Sequence, residues 1–152
     1  MVSADETVRR SVNELEAFDF QSTPCSTAPS LAEARVAIVT TAGLRSDGGR
    51  GWAIGDQSFT VLDSADRDVT LAHASPNFDR SGFAADLNVV YPADRLVELA
   101  TQGVIGSVAS RHLSFMGAQT DHTMTTLRLD TGPAAAKLLR DDGVDVVLLT
   151  PV

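Results

Sequence analysis

The stretch Arg35–Thr41, RVAIVTT, decides the fold because it is a short and nearly continuous apolar run. Runs of this length are typical of strands buried on both faces, which occur in parallel sheets covered by helices. Val144–Val152, VDVVLLTPV, repeats the pattern at the other end of the sequence. These two runs predict a parallel sheet at the centre of the molecule.

Helix and strand signals alternate between the two runs. Shorter strands are predicted at Phe59–Leu62 and Val69–His73, and a short strand or turn at Ile105–Ser110, followed by Arg111–Gly117. One helix is predicted from Pro92 through Thr101, with Gly103 as its stop, and another from Gly132-Pro133 to about Gly143. The alternation predicts the α/β class: an open, mainly parallel sheet with helices on both faces, in a Rossmann-like or flavodoxin-like three-layer arrangement.

The first 30 residues are predicted to stand apart from this sheet. Asp5–Phe18 carries an apolar stripe at helical spacing, and Ser3 precedes Glu6 by three residues, as in a capping box. Residues 21–30 read as a polar linker in which Cys25 is an incidental thiol. We therefore predict an N-terminal helix and linker at 1–30 and an α/β domain at 31–152, the latter truncated on its C-terminal side.

Composition excludes several classes of protein. The net charge is −8, and the basic residues, 11 Arg and Lys137, are scattered, so nucleic acid and anionic membrane are poor partners. A single cysteine excludes an internal disulfide framework and a cysteine-rich metal site. No window approaches the roughly 20 apolar residues of a membrane span. The expected location is the cytoplasm.

Candidate site residues follow from the rule that ligands bind beyond the carboxyl ends of parallel strands. Each predicted strand end or the loop after it delivers polar side chains. As catalytic groups we select His73 and His112, because each follows an apolar stretch and precedes a polar loop. The candidate substrate-binding residues are Thr41, Asn77, Asp79, Arg80, Ser81 and Ser114.

Other interpretations of these residues stay open. His73, Asp79 and His112 could form a metal site, but their spacing matches no compact ligand motif, and we predict no metal. A Ser-His-Asp hydrolase is disfavoured because no GxSxG turn is present. Arg80 could hold a substrate carboxylate in a bidentate fork or simply pair with Asp79 in a turn. The Gly-rich segment Arg45–Gly55 fits a lid better than a phosphate cradle, and His122 reads as a surface residue.

Four blocks in order carry a resemblance to a known family. The blocks are Ala34–Leu44 (ARVAIVTTAGL); Asn77–Phe83 (NFDRSGF) with Asp86–Pro92 (DLNVVYP) and Asp94–Leu96; Ile105–Ala109 (IGSVA) with Arg111–Gln119 (RHLSFMGAQ); and Asp142–Asp145 (DGVD) with Val147–Val152 (VLLTPV). From about Leu31 onward the chain resembles the selenoprotein B family of the glycine, sarcosine, betaine and D-proline reductases. The segment before Leu31 carries no such signal.

The resemblance implies reductive cleavage of a C–N bond in a small amino-acid-like substrate, with a thiol reductant or other reductase subunits as partners. In the family, a selenocysteine or cysteine redox motif follows the strand that matches Val144–Val152, and this motif is absent here. No other cofactor is implied. We expect this chain to be the part of a selenoprotein that precedes its UGA codon, and to be inactive alone.

Two roles are inferred from chemistry once the family is assumed. His73 or His112 would protonate the leaving amine, and Arg80 would hold the substrate carboxylate. The alternative is a non-catalytic α/β binding or scaffold protein that kept the fold without the redox motif. In either case an uncovered apolar edge at Val144–Val152 predicts a homo-oligomer.

Overall fold

The fold is described from a computed structural model that covers residues 3, 6–7, 10, 14, 26–46, 48, 51–76, 78–119 and 121–152, without the side chains of 121–123. Most of the predicted helix Asp5–Phe18, Cys25 and the side chain of His122 lie outside these residues. The capping box is confirmed: the Glu6 amide donates to Ser3 Oγ at 3.1 Å, and the Ser3 amide donates to Glu6 Oε2 at 3.2 Å. The boundary at residues 30 and 31 stays a prediction.

The main sheet is built around β1 (Arg35–Thr40), the first predicted strand. β7 (Val146–Thr150) runs parallel to it along Val36–Thr40. β5 (Ser107–Val108) and β6 (Arg111–Phe115) are also parallel to β1 and share its other edge, since a strand has only two edges. β3 (Phe59–Asp63) completes the sheet antiparallel to β6. The sheet is therefore mixed but mostly parallel.

The helices begin and end close to the predicted positions. α1 (Ser81–Ala85) leads into a 3₁₀ turn at Leu87–Val89 and then α2 (Ala93–Thr101). After the sheet strands come α3 (Asp121–Thr126), a π-helical turn at Leu127–Thr131 and α4 (Gly132–Asp141). Gly103 and Gly143 both have a φ of +71°, the left-handed conformation with which glycine ends a helix. The two helices predicted within the α/β domain are thus confirmed.

Alternate residues of β1 enter two separate cores. Val36 and Ile38 pack with Leu96 of α2, whereas Ala37 packs with Ala135 and Leu139 of α4. All six are buried, with at most 6% of their surface exposed. Because successive side chains of a strand point to opposite faces, the sheet carries helices on both faces, and the three-layer α/β prediction is confirmed.

Two local predictions need correction. Only Thr70–Leu71 (β4) of the predicted strand Val69–His73 pairs, and it pairs antiparallel with Leu44–Arg45 (β2) outside the main sheet. Arg111–Phe115, expected to lie beyond a strand, is itself a central strand. The reason is that the strand beginning at Ser107 is interrupted at residues 109–110 and then continues. Among the described residues, no helix is long and apolar enough to cross a membrane.

Candidate active site

The site begins where β1 and β7 end side by side. The Val152 amide donates to Thr41 Oγ1 at 2.9 Å, and this hydroxyl donates in turn to the Val152 carbonyl oxygen at 3.2 Å. The Thr41 amide also donates to the Thr150 carbonyl oxygen at 3.2 Å. Thr41 therefore ties the backbone that follows β7 to the carboxyl end of the central strand.

Gly117 lies in the angle between these two strand ends. A β-carbon on Gly117 would lie 2.9 Å from the carbonyl oxygens of Thr41 and Val152 and 3.0 Å from Nε2 of His73. Backbone oxygens cannot yield as a flexible side chain can, so a residue without a side chain is required here. The three chain segments that carry Thr41, His73 and Val152 converge at this glycine.

His73 is the titratable group at this convergence. Its Nδ1 accepts a hydrogen bond from the Ser75 amide at 3.2 Å, which assigns the proton of the neutral ring to Nε2. The residue is only 6% exposed, and Nε2 is buried without a hydrogen-bond partner among the described residues. Its ring stacks on Phe78 with centroids 4.6 Å apart. Burial, and secondly the charge of Arg80, lower the pKa of His73, so the ring is neutral at pH 7.

The loop after His73 brings two charged side chains to the same edge. Arg80 Nη2 donates to the His73 carbonyl oxygen at 2.8 Å, and Asp79 Oδ1 accepts from the Ser81 amide at 2.9 Å. The hydrogen bonds from Ser81 lower the pKa of Asp79, so the exposed carboxyl is ionised at neutral pH. A cleft of about 360 Å³ opens here; its lining includes His73, Ser75, Phe78, Asp79, Ala118 and Val152.

Two predicted residues lie elsewhere. His112 and Ser114 are both fully buried within β6. His112 Nδ1 accepts from the Ile38 amide at 3.0 Å, and Ser114 Oγ accepts from the Leu44 amide at 2.7 Å. Burial above all lowers the pKa of His112 to about 4. The structure gives both side chains backbone-bonding roles in the core, away from the cleft.

The outcome for the remaining candidates is divided. The structure brings Thr41, His73, Asp79, Arg80 and Ser81 to the same end of the sheet, whereas Asn77 lies outside the described residues. Their roles in binding or catalysis stay predictions. Sequence reasoning missed Gly117 and Ala118. A glycine just after a strand was a usable signal for Gly117. Ala118 has a φ of +55°, a conformation that alanine rarely adopts and that no sequence pattern predicts.

The chemistry of this site is that of a small, mostly apolar cleft with one buried imidazole and one carboxylate in its wall. His73 offers an N–H donor and Asp79 a carboxylate, and the guanidinium of Arg80 lies in the same loop, bonded to the His73 carbonyl oxygen. Such a set can hold a zwitterion and exchange a proton with it. Within the described part of the chain, no three His, Cys, Asp or Glu side chains come close enough to hold a metal ion.

Comparison with known proteins gives the family. Over 123 residues the chain is 33% identical to the D-proline reductase subunit gamma of Acetoanaerobium sticklandii, covering 79% of this chain and 49% of that one. Over 128 residues it is 30% identical to the sarcosine reductase complex component B subunit beta of Peptoclostridium acidaminophilum, covering 79% of this chain and 28% of that one. The chain thus spans half or less of these relatives. No solved structure matches it.

The family profile described as glycine/sarcosine/betaine reductase selenoprotein B matches residues 12–152. This match includes residues before Leu31, where the sequence alone showed no resemblance. It extends over more than nine-tenths of the 152 residues. The chain therefore belongs to the glycine/sarcosine/betaine reductase selenoprotein B family.

Proposed function

We propose that this chain is the α/β part of a subunit of a reductase complex that cleaves a C–N bond in a small amino-acid-like substrate. Family membership and two relatives named as reductase subunits support the reaction class. The single observation that carries the site is the convergence of Thr41, His73 and Val152 at Gly117. A nucleophile that follows Val152 in the family pattern would emerge next to the buried imidazole.

The charged side chains receive distinct roles in this proposal. Arg80 uses N–H groups other than the one bonded to the His73 carbonyl to hold the substrate carboxylate, and Asp79 binds its ammonium group. Ser81 keeps Asp79 ionised and oriented through its backbone amide. Thr41 fixes the strand end that presents the nucleophile. His112 is assigned to the core; its catalytic role stays a prediction that its burial does not favour.

The proposed reaction balances in two steps. A selenolate or thiolate forms a bond to the substrate carbon, and the C–N electron pair leaves with the ammonium nitrogen, which departs as a neutral amine. The Nε2–H of the neutral His73 ring donates a hydrogen bond to the lone pair that develops on this nitrogen. A thiol then attacks the bound selenium or sulfur, forming an S–Se or S–S bond, and the carbon keeps the released pair and takes a proton. The thiol reductant supplies the two electrons. Because Nε2 of His73 is buried beside Gly117, the contact there must open for this hydrogen bond to form.

The partners follow from the same proposal. They are a small amino acid or N-methyl amino acid, a thiol reductant and other reductase subunits. We also propose a cytoplasmic location, where low-molecular-weight thiols keep such groups reduced. A second copy of the chain is proposed as a further partner, because β7 has residues exposed on both faces and pairs only with β1 among the described strands.

Two measurements test this function. The first is the gene sequence after the Val152 codon: a UGA or cysteine codon within a continuing frame is expected, and a UAA or UAG with no frame beyond would contradict the nucleophile's proposed position. The second is calorimetric titration of this chain with sarcosine. Arg80→Gln is expected to weaken binding about tenfold or more, since a charged hydrogen bond contributes roughly 1.5–3 kcal/mol.

Arg95→Gln is the matched control for that titration. Arg95 is an exposed arginine whose ion pair with Glu98 lies on α2. Its substitution should leave sarcosine affinity unchanged. Equal effects of the two variants would mean that net charge, rather than a carboxylate site at Arg80, governs binding.

A binding or scaffold role is the second candidate function, and the exposed face of β7 favours it. The two candidates differ in one observable. With dithiothreitol as reductant, a version of the chain extended through a selenocysteine or cysteine motif should release methylamine from sarcosine if the reductase proposal holds. A scaffold would bind partners and release no amine.

A further inference from the structure

A second cavity opens beside Gly117 and Ala118, next to the cleft at His73. Its volume is about 380 Å³, and its described lining carries no charged side chain. The lining residues are Thr41, Phe115, Met116, Gly117, Ala118, Gln119, Met124, Leu127, Gly132 and Val152. Methionine, leucine and phenylalanine side chains dominate it, and such a surface favours an apolar occupant.

The second cavity is a neighbour of the cleft at His73. Ala118 and Val152 line both spaces, so the two meet at the carboxyl end of β7. Ala118 adopts a left-handed φ of +55°, a strained conformation for a residue with a β-carbon. Strain of this kind persists where the surrounding structure imposes it, and here it turns the chain between the two spaces.

A polar atom without a partner lies beside this cavity. Gln119 Nε2 donates to the carbonyl oxygens of Asp56 at 2.8 Å and Met116 at 3.0 Å, which fixes the side-chain amide. Its Oε1 is buried and has no donor among the described residues. The two bonds donated by Gln119 hold the segment at Asp56 against Met116 and so fix this wall of the cavity.

We propose that this cavity receives an apolar side chain or ring of the amino-acid substrate, whose charged groups lie at Asp79 and Arg80. The proposal rests on the proposed function and narrows its substrate class: the preferred substrate is larger and more apolar than glycine. Met124 and Leu127 determine this preference, since both line the second cavity and neither lines the first.

Calorimetric titration of the purified chain with racemic leucine and with glycine tests this preference. Leucine is expected to bind about tenfold more tightly, because partial burial of its side chain gives roughly 1.5 kcal/mol. Met124→Gln should remove this advantage and leave glycine affinity unchanged. Leu129→Gln is the matched control: Leu129 is 68% exposed, lies in the neighbouring π-helical turn and does not line the cavity, so both affinities should persist.

Met124→Ala guards against a folding defect in the glutamine variant. It enlarges the cavity but keeps it apolar, so racemic phenylalanine should gain affinity relative to leucine. Equal affinities for leucine and glycine in the unmodified chain would overturn the apolar cavity proposal and leave the proposed function standing. Failure of glycine, sarcosine and leucine alike to bind would overturn both. Loss of the leucine advantage in Leu129→Gln as well as Met124→Gln would also overturn the assignment of this cavity.

Discussion

At the scale of single residues, the sequence suggested a catalytic role for His112, but the structure places its side chain in the core. Nδ1 of its ring accepts a hydrogen bond from the Ile38 amide at 3.0 Å. In a regular sheet, a carbonyl oxygen of the neighbouring strand would accept this bond. The edge of the ring meets Tyr91 with centroids 5.5 Å apart. The histidine accepts the hydrogen bond of the buried Ile38 amide and fills space in the core. The ring must be neutral for Nδ1 to accept this bond.

The first prediction concerns the pH dependence of stability at His112. Its pKa falls from 6.5 to about 4 on folding, mainly through burial. Between these values the unfolded chain binds a proton that the folded chain does not, so stability falls as pH falls from about 6.5 and levels off below about 4. The free energy of unfolding should drop by about 2 kcal/mol between pH 7 and pH 5 from this residue. Urea unfolding at both pH values measures it.

Two variants separate His112 from the other buried histidine. His112→Gln keeps an acceptor for the Ile38 amide and should flatten most of the slope. His73→Gln should flatten less of it, because the pKa of His73 is also lowered but its side chain lies at the sheet edge. Keeping the measurement above pH 5 avoids the carboxylates. An unchanged slope in His112→Gln would contradict the prediction.

The sequence predicts the role of a residue when that role depends on where a strand ends. It does not predict a role that depends on which face of the sheet the side chain points to. Thr41 was predicted because it ends the most obvious strand. Ser114 was assigned to the site for a similar reason, yet it sits within β6, where alternate side chains turn into the core. The interruption at residues 109–110 hides that strand from any period-two pattern.

At the scale of elements, Asp142 joins the end of α4 to the amino ends of β1 and β6. Ser110 Oγ donates to both carboxylate oxygens at 3.1 Å, and Arg35 and Arg111 pair with Oδ1 at 3.5 Å and 3.3 Å. Burial would raise the pKa of Asp142, but the Ser110 hydrogen bond and both arginines outweigh it, and the pKa is lowered. Its stabilisation is therefore present above pH 3.8 and lost as pH falls below it.

The second prediction compares Asp142 with its neighbour. Asp142→Asn should lower the free energy of unfolding at pH 7 by about 1–3 kcal/mol. The side chain at this position is only 13% exposed, and the neutral amide would lose the charge that pairs with Arg35 and Arg111. Asp141→Asn is the control: Asp141 pairs with Lys137 on an exposed helical turn, where such pairs contribute roughly 0.3–0.5 kcal/mol. Chemical denaturation at low salt compares them. Equal losses would show that the Asp142 cluster adds nothing beyond a surface pair.

Elements were predictable where one periodicity extended over enough residues. α2 and α4 each combine an apolar stripe with a glycine in the left-handed conformation just after their end, so type and limits followed together. β4 was overestimated, because VTLAH has an apolar composition but only two of its residues find a partner strand. Which strand pairs with which depends on long-range contacts that composition does not encode.

At the scale of the whole molecule, helices cover both faces of the sheet at β1, whereas β7 is an edge strand with residues exposed on both faces. β7 pairs with β1 alone among the described strands, and Leu148 and Leu149 are 38% and 67% exposed. An apolar groove of about 480 Å³ runs beside it, lined by residues of α4 and by Val147 and Leu149. An edge strand with free backbone groups and apolar side chains is a template for pairing with another chain.

The last prediction is that this chain self-associates through β7. Sedimentation velocity of the purified chain should show a dimer that forms as concentration rises, because antiparallel pairing of two β7 edges satisfies backbone groups and buries Leu149. Leu149→Lys should weaken the dimer about tenfold or more, since a charged residue opposes burial at an edge. Leu129→Lys, at a site that is similarly exposed at 68%, should not change it. A monomer at every concentration would contradict the prediction. Of the two substituted leucines, Leu149 lies on β7 and Leu129 does not. An equal effect of the two lysines would therefore point to general hydrophobic association in place of strand pairing.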